Sequence, residues 1–567
     1  MHGIRKTASV LAIAMTALAA LSACSGNSAP ESAAGFNPDA GKGAGPGQVA
    51  GSGTIAKYDP PVTVTTVRAQ ADVTTFQAGD TLDSNLWTKF LQDTYGFQLK
   101  NVWVTDSSGY TDRLNVTIAS GDLPDFFKVN STQLKQLVEA GSLADLTDVY
   151  GKYASPMLKS KLNEDNGITL KASTFDGKLM ALPYVTATMD GAGMLWIRKD
   201  WLDNLGLSAP KTMDDVLAIA KAFKNNDPDK NGKNDTVGLG VNGSNGASGI
   251  FTGFGGLNFF LNGYHAYGKM WIEDPRDKSK LVYGAVQPEA KQALGKLQEM
   301  FKAGEIDKEF SVKTLSQLTD DIVGGKVGMV YGIMANPINY FSKSVAKDPK
   351  AKWEMFEVPS IDGTPAKTQI SSGIGTFWVA SKKSKYPDAL VKTMDSFVQK
   401  LYGDKAEFKY MYDGPNKEHA TFKYMDVQAW GARKNLDAFL AVNQALKSGD
   451  TSKLNPEQSG YYDQVKKYMG GDASQWGTYK VFGPEGSLSL TEKIVKNNSM
   501  YPDQYFSIPT DLMVQRSSTL SDLLNETYMK IILGDPLDTF DAMVQKWNQL
   551  GGEQMTKQVN EWKAKQK

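Results

Sequence analysis

Asp227, Asp229, Asn231 and Asp235 fall at loop positions 1, 3, 5 and 9, with Gly232 at position 6 and Lys233 at position 7. Alternating oxygens at this spacing wrap a hard cation, the glycine permits the sharp turn, and a backbone carbonyl at position 7 adds another oxygen. The pattern predicts a calcium loop held by Asp227, Asp229, Asn231, Asp235 and the carbonyl of Lys233. The bidentate glutamate that closes such loops at position 12 is missing, because Gly238 stands there. The ion's role would be structural, stapling a loop in a chain without disulfides. The alternative is a solvated Asx-rich turn after a helix.

Other chemistry is short of parts. Gly238-Leu239-Gly240-Val241-Asn242-Gly243 matches a dinucleotide fingerprint by letter. Its glycines run on through Gly246 and Gly249 with no helix start, and no acid follows at the ribose-binding offset. Phosphate-loop and Gly-x-Ser-x-Gly patterns do not occur. The histidines are His2, His265 and His419, and Cys24 is the only cysteine. Zinc sites, histidine-relayed nucleophiles and an internal disulfide are therefore unexpected. Two carboxylates suffice for glycoside hydrolysis, but with 62 acidic residues a pair arises by chance and solvation is the default. Lys plus Arg also number 62, so no global field favours nucleic acid.

Aromatic rings offer another kind of recognition. Sugars lay apolar C–H faces on rings while a few placed polar groups meet their hydroxyls. Trp271, Trp353, Trp378, Trp430, Trp476, Tyr184 and Tyr340 stand outside obvious amphipathic stripes, and at least two of them are expected to line a cleft. Trp196, Trp201 and Trp547 sit on strand or helix faces and are expected in the core.

The elements that would position these groups follow from periodicity. Val62 to Val67 is β-branched and predicts a strand; a helix follows from about Leu86 to Tyr95, then strands over Phe97–Val104 and Phe126–Val129. Asp176-Gly177 predicts a turn into a short apolar run interrupted by Pro183, and a second strand begins after Gly193. A broken strand between two α/β halves reads as a crossing between lobes. Further helices are predicted over Met213–Lys224, Gln287–Phe301 and Ala389–Tyr402, with strands over Val327–Gly332 and Thr376–Ala380. Alternation of this kind predicts an α/β fold with a largely parallel, doubly covered sheet. The stretch from about 405 to 510 shows little periodicity. Ligand loops lie at strand carboxyl ends in such sheets, which nominates Asp83, Asn85, Lys128, Asn130, Tyr184, Met334, Asn336 and Trp378.

The N-terminus has its own logic. Arg5 and Lys6 precede an apolar run to Ala20 and then Leu21-Ser22-Ala23-Cys24. A basic start, a short apolar middle and small residues before a cut describe a secretory signal over residues 1–23. Leu-Ser-Ala-Cys is similar to the bacterial lipobox, which implies a lipidated Cys24. Loss of Arg5 and Lys6 leaves 60 basic against 62 acidic residues. Residues 24–57 are Gly, Ala, Ser and Pro with few large apolar groups, a composition that predicts a disordered tether reaching on the order of 30 Å.

Leu182-Pro183, Met194 to Arg198, Asp200-Trp201-Leu202, Leu205-Gly206-Leu207, Pro210-Lys211-Thr212 and the acidic loop together resemble one family. It is the extracellular solute-binding lipoproteins of oligosaccharide ABC transporters, in the calcium-loop subgroup of alginate-oligosaccharide and aldouronate binders. The resemblance implies a type II periplasmic-binding-protein-like fold with hinges near Pro183 and Gly375. It assigns 58–183 and 372–430 to lobe 1, and 184–371, with calcium loop 227–238, and 431–567 to lobe 2. It implies capture without catalysis of an oligosaccharide, uronate-containing chains included, and delivery to ABC permease subunits by a lipid-anchored monomer on the extracytoplasmic face. Rival readings are a lipid-anchored polysaccharide hydrolase or lyase, an adhesion or cell-wall scaffold lipoprotein, and a receptor for peptide or another solute. Few charges in the cleft would argue against peptide; a basic cleft would suggest uronic acids.

Overall fold

The structure, a computed structural model, describes residues 57–70, 75–244, 249–404, 406–413 and 419–566. The expected leader, Cys24 and nearly all of the tether lie outside the described residues.

The described chain begins with a β-α-β unit. Strand Val62–Gln70 pairs in parallel with Phe97–Asp106, and helix Leu86–Tyr95 crosses between them. Asn85 starts that helix in a capping box: its side chain accepts from the amides of Trp87 and Thr88, while Thr88 Oγ1 accepts from the Asn85 amide. Gly96 ends it at φ 73°, and a Cβ there would lie 2.2 Å from the Tyr58 carbonyl oxygen. Only glycine meets both demands.

Strand Phe126–Asn130 pairs antiparallel with Thr376–Ala380, which also pairs antiparallel with Leu182–Pro183. Pro183 occupies an edge strand, where its missing amide costs no ladder bond. The chain thus leaves this sheet at Pro183 and returns at Thr376 on the neighbouring strand, with the Tyr184 amide donating to the Thr376 carbonyl at 3.0 Å. Before the exit, Asp176 (φ 48°) and Gly177 (φ 76°) turn the hairpin Thr174–Phe175/Lys178–Leu179. Two positive φ values in a two-residue loop are why Asp-Gly stands there.

Between exit and return lies a four-stranded sheet in the order Trp353–Phe356, Met194–Arg198, Val327–Gly332, Val237–Gly240. Met194–Arg198 runs antiparallel to both neighbours, and Val327–Gly332 runs parallel to Val237–Gly240. The expectation of a largely parallel arrangement is therefore corrected: Val62–Gln70 and Phe97–Asp106 pair in parallel, the three-stranded sheet is antiparallel throughout, and the four-stranded sheet is mixed. The returning strand reverses direction in the first sheet, and Met194–Arg198 does so in the second.

Apolar burial separates along the same line. One core joins Val64, Trp87, Phe97 and Phe126 with Trp378, Phe397, Tyr410 and Tyr424. Another joins Leu195, Ile197, Trp201, Phe223 and Tyr331 with Leu524, Tyr528 and Trp547, the last three from helices Asp511–Leu533 and Thr539–Trp547. A third sets Met194, Trp196, Val330 and Trp353 against Phe439, Val465, Val481 and Leu488. Those partners lie in helices Lys434–Ser448, Pro456–Met469, Trp476–Phe482 and Ser487–Lys496, within the stretch that lacks clear periodicity.

Candidate functional site

At the carboxyl end of strand Val327–Gly332 the backbone turns through Ile333 to Asn336 into one π-helical turn, Pro337–Phe341. A cavity of about 390 Å³ opens there. Its walls come from this turn, from the glycine-rich loop around Phe254, from helix Asn258–Gly263, and from Gly191 and Gln369–Ser371, which flank the stretches leading from and back to the first sheet. A larger trough of about 920 Å³ lies between residues 356–368 and helix Ser487–Lys496. Its walls carry the charged side chains of Lys211, Glu357, Asp362, Lys367 and Lys493, whereas the smaller cavity has aromatic and amide walls at the end of a central strand and is the better candidate.

Tyr340 forms the platform of this cavity. Its ring stacks on Phe254 with centroids 4.1 Å apart and planes 17° apart, and Phe254 packs edge-on against Phe341 at 5.8 Å. The Tyr340 plane is thereby fixed on a buried support.

Two buried amides border the same space. Asn336 is 1% exposed. Its Oδ1 accepts from the Ile333 amide at 3.3 Å, and its Nδ2 has no partner among the described residues. That Nδ2 lies against Gly332, where a Cβ would approach it to 1.8 Å. Asn258 is 6% exposed, and its Oδ1 has no partner among the described residues. Nearby, Gly193 lets Phe259 sit on the strand start, since a Cβ there would meet the ring at 2.1 Å. Next to Gly191, burial pushes the Asp190 carboxyl up to about 7, although Asn435 Nδ2 donates to it and Lys434 opposes the rise.

The nominated residues scatter. Asn336 lines the cavity; Met334 does not, being 4% exposed in the third core, with its carbonyl accepting from Ser487 Oγ at 2.6 Å. Lys128 and Trp378 are cross-strand partners in the first sheet; Lys128 Nζ is 3.1 Å from Asp426 Oδ1 and 5.6 Å from the Trp378 ring, which is fully buried. Asn85 and Asn130 cap helices. Exposed Asp83 accepts from the amide and Nδ2 of Asn101 at 3.1 and 2.6 Å. Tyr184 is half-buried against the first core. Among the aromatics, Trp271, Trp353 and Trp378 are buried, as are Trp196, Trp201 and Trp547. Of the seven, Tyr340 alone borders this cavity, and Trp476 borders a separate groove. Sequence reasoning passed over Phe254, Asn258 and Phe259. The signal available was an aromatic-bearing run of glycines leading directly into Asn258.

The acidic loop folds on itself. Asp227 (φ 46°) accepts from the amides of Asn231 and Gly232 at 3.0 and 2.9 Å, and Gly232 turns at φ 79°. Asn231 Nδ2 donates to Asp229 Oδ2 at 2.7 Å and to Asp235 Oδ1 at 3.2 Å. Asp229 Oδ1 is buried without a partner among the described residues; burial, then contact with Asp227, raises its carboxyl above the ordinary range. This hard-oxygen set with an orphaned carboxylate oxygen suits calcium. No group of three or more acidic, histidine or cysteine side chains is gathered for a metal among the described residues. The glycines of the fingerprint-like run serve packing: a Cβ on Gly238 would lie 2.4 Å from the Ala220 carbonyl oxygen, and one on Gly243 2.2 Å from that of Phe310.

Residues 74–408 match the profile of the bacterial extracellular solute-binding protein family. The chain belongs to that family. Proteins similar to it over most of their length include Lipoprotein LipO of Bacillus subtilis (strain 168), 27% identical over 83% of this chain and 87% of that protein. The polygalacturonan/rhamnogalacturonan-binding protein YtcQ of the same organism is 26% identical over 82% of this chain and 85% of that protein. Among solved structures, the HMO-binding, ABC-transporter-associated solute-binding protein from Bifidobacterium longum infantis superposes with a TM-score of 0.60 at 17% identity, covering 89% of this chain and 98% of that one. The FusA protein of S. pneumoniae in complex with kestose gives 0.59 at 17%, covering 89% and 99%. The α/β fold is that of the type II periplasmic solute-binding proteins.

Proposed function

We propose that this chain is the substrate-binding component of an ABC importer and captures an oligosaccharide at the cavity between Tyr340 and the Asn258/Asn336 amides. The single observation that carries this reading is a fixed aromatic platform beside a buried donor and a buried acceptor that lack partners among the described residues. A sugar offers a C–H face to the ring and hydroxyls to the amides. The relatives' names point the same way: one is called a polygalacturonan/rhamnogalacturonan-binding protein and another a fructooligosaccharide ABC transporter substrate-binding protein.

The separate cores and the paired crossings at Pro183 and Thr376 support a hinged pair of lobes, 58–183 with 372–430 and 184–371 with 431–567. Ligand would favour the closed arrangement, and closure is the change a permease reads. On this reading Cys24 carries the lipid that holds a monomer to the extracytoplasmic face of the cell membrane. Asp227, Asp229, Asn231, Asp235 and the Lys233 carbonyl hold calcium, which ties the end of helix Met213–Asn225 to strand Val237–Gly240.

The test is calorimetric titration with oligosaccharides, solution scattering, and product analysis of the same samples. Saturable one-to-one binding, a smaller radius of gyration with ligand and an unchanged sugar are expected. Cleavage of the sugar, or binding to no saccharide, would overturn the reading.

A further inference from the structure

The cavity carries information about the chemical class of its ligand, on the footing that it is the oligosaccharide site. None of its sixteen lining residues, among the described residues, is Asp, Glu, Lys, Arg or His; the polar ones are amides and hydroxyls, among them Asn258, Asn336, Gln369 and Ser371. Lys128, the nominated cation of the first sheet, is already matched by Asp426 at 3.1 Å.

The hydrogen-bonding pattern is more specific than the lack of charge. Asn336 Oδ1 is held by the Ile333 amide, which leaves Nδ2, a donor, as the free end. The free atom of Asn258 is Oδ1, an acceptor. A sugar hydroxyl both donates and accepts, so neighbouring hydroxyls on one ring satisfy both amides. An ionised carboxylate only accepts. It could meet Asn336 Nδ2, but it would set its negative charge near the Asn258 carbonyl oxygen, with no cation in the walls to replace lost water.

We infer that this site selects neutral oligosaccharides and discriminates against uronates, with the Asn336 donor and the Asn258 acceptor reading hydroxyl groups on one sugar unit beside Tyr340. A receptor for acidic glycans would need arginine or lysine at the cavity, where bidentate or point-charge pairing recognises carboxylate. The preference distinguishes this chain from the similar protein named for polygalacturonan and rhamnogalacturonan.

Calorimetry at pH 7 on the full chain tests this. The probes are neutral trisaccharides built on glucose, galactose, xylose and fructose, kestose among them, against trigalacturonate. One or more neutral sugars should bind at least about 10-fold tighter than trigalacturonate, the ratio expected when one buried hydrogen-bonding group is left unpaired. Equal or tighter binding of trigalacturonate overturns the neutral preference and leaves oligosaccharide capture standing. No binding by any member overturns both. Asn336→Asp exchanges only Nδ2 for oxygen and should weaken the best neutral sugar roughly 10- to 100-fold. Asn258→Asp keeps an acceptor and should cost less than Asn336→Asp. Unchanged affinity in a folded Asn336→Asp protein, or the reverse order of the two losses, overturns the assignment of donor and acceptor. Should either variant fail to fold, the wild-type comparison still decides the preference.

Discussion

Replacing Gly332 with alanine tests how the cavity is held open, because the substitution adds one methyl group and nothing else. Gly332 does not have a positive φ, so alanine meets no backbone strain there. The added Cβ would stand 1.8 Å from Asn336 Nδ2 and 2.8 Å from its Cγ. Ordinary carbon contacts begin near 3.5 Å, so the amide must move by well over 1 Å. Asn336 is 1% exposed and tied to the Ile333 amide, so it cannot swing to solvent without losing that bond. Overpacking of this kind costs about 1–3 kcal/mol, and the lost hydrogen bond adds about 1 kcal/mol. Gly332→Ala should therefore lower stability by roughly 2–4 kcal/mol and weaken oligosaccharide binding about 10-fold. A double-mutant cycle with Asn336→Ala, read by denaturant unfolding and calorimetry, isolates the collision. In the Asn336→Ala background the methyl should cost less than about 0.5 kcal/mol. Equal costs in both backgrounds would show that the collision is not what destabilises. A folded Gly332→Ala protein with full affinity would show that the amide does not read the ligand.

Three further outcomes follow from the other sites. Saturating calcium at 100 times Kd should add about 2.7 kcal/mol of stability; chelator should lower the melting temperature of the wild type but not of Asp227→Ala, and superimposable wild-type melts with and without calcium would dismiss the site. Asp190 has an ordinary pKa of 3.8 but stands near 7 when folded. Between those values the native state binds more protons than the unfolded chain, so this group's contribution falls as pH rises from about 4 to about 7. Asp190→Asn should match the wild type near pH 4 and exceed it at pH 8 by about 1–3 kcal/mol, under a ceiling of ~4; parallel stability–pH curves from urea melts would contradict this. Cys24→Ser should abolish incorporation of labelled fatty acid and release the protein from membranes, whereas persistent labelling would place the anchor elsewhere.

Local determinants were legible in residue order because their causes are local. Asp176-Gly177 makes a hairpin turn, and Met213–Asn225 shows its apolar face by periodicity. Helices Lys434–Ser448 and Pro456–Met469 were not legible. Their inner faces meet one side of the second sheet and further helices, and aromatic and polar groups such as Tyr461 and Asn443 spread around them, which blurs the helical stripe. Reading loop positions after strands as ligand contacts found Asn336, but also selected Asn85 and Asn130, whose side chains are occupied in helix caps.

From the order of residues alone came the α/β class, the strand interrupted at Pro183, the spacing that leads to the expectation of a cation loop, and the expectation of a leader over residues 1–23 before Cys24. Each depends on neighbours within a few turns of chain, where proline, glycine and alternating oxygens act directly. Folding decided which rings became core, how the strands run and which amides were left unpaired. Trp378 and Tyr340 look alike on paper; the first lies in a central strand with cover on both sides, the second on a turn beyond a strand end. Asn258 and Asn336 stand 78 positions apart in the chain. Only packing brings a donor and an acceptor to one cavity, since sequence separation carries no information about distance across a sheet.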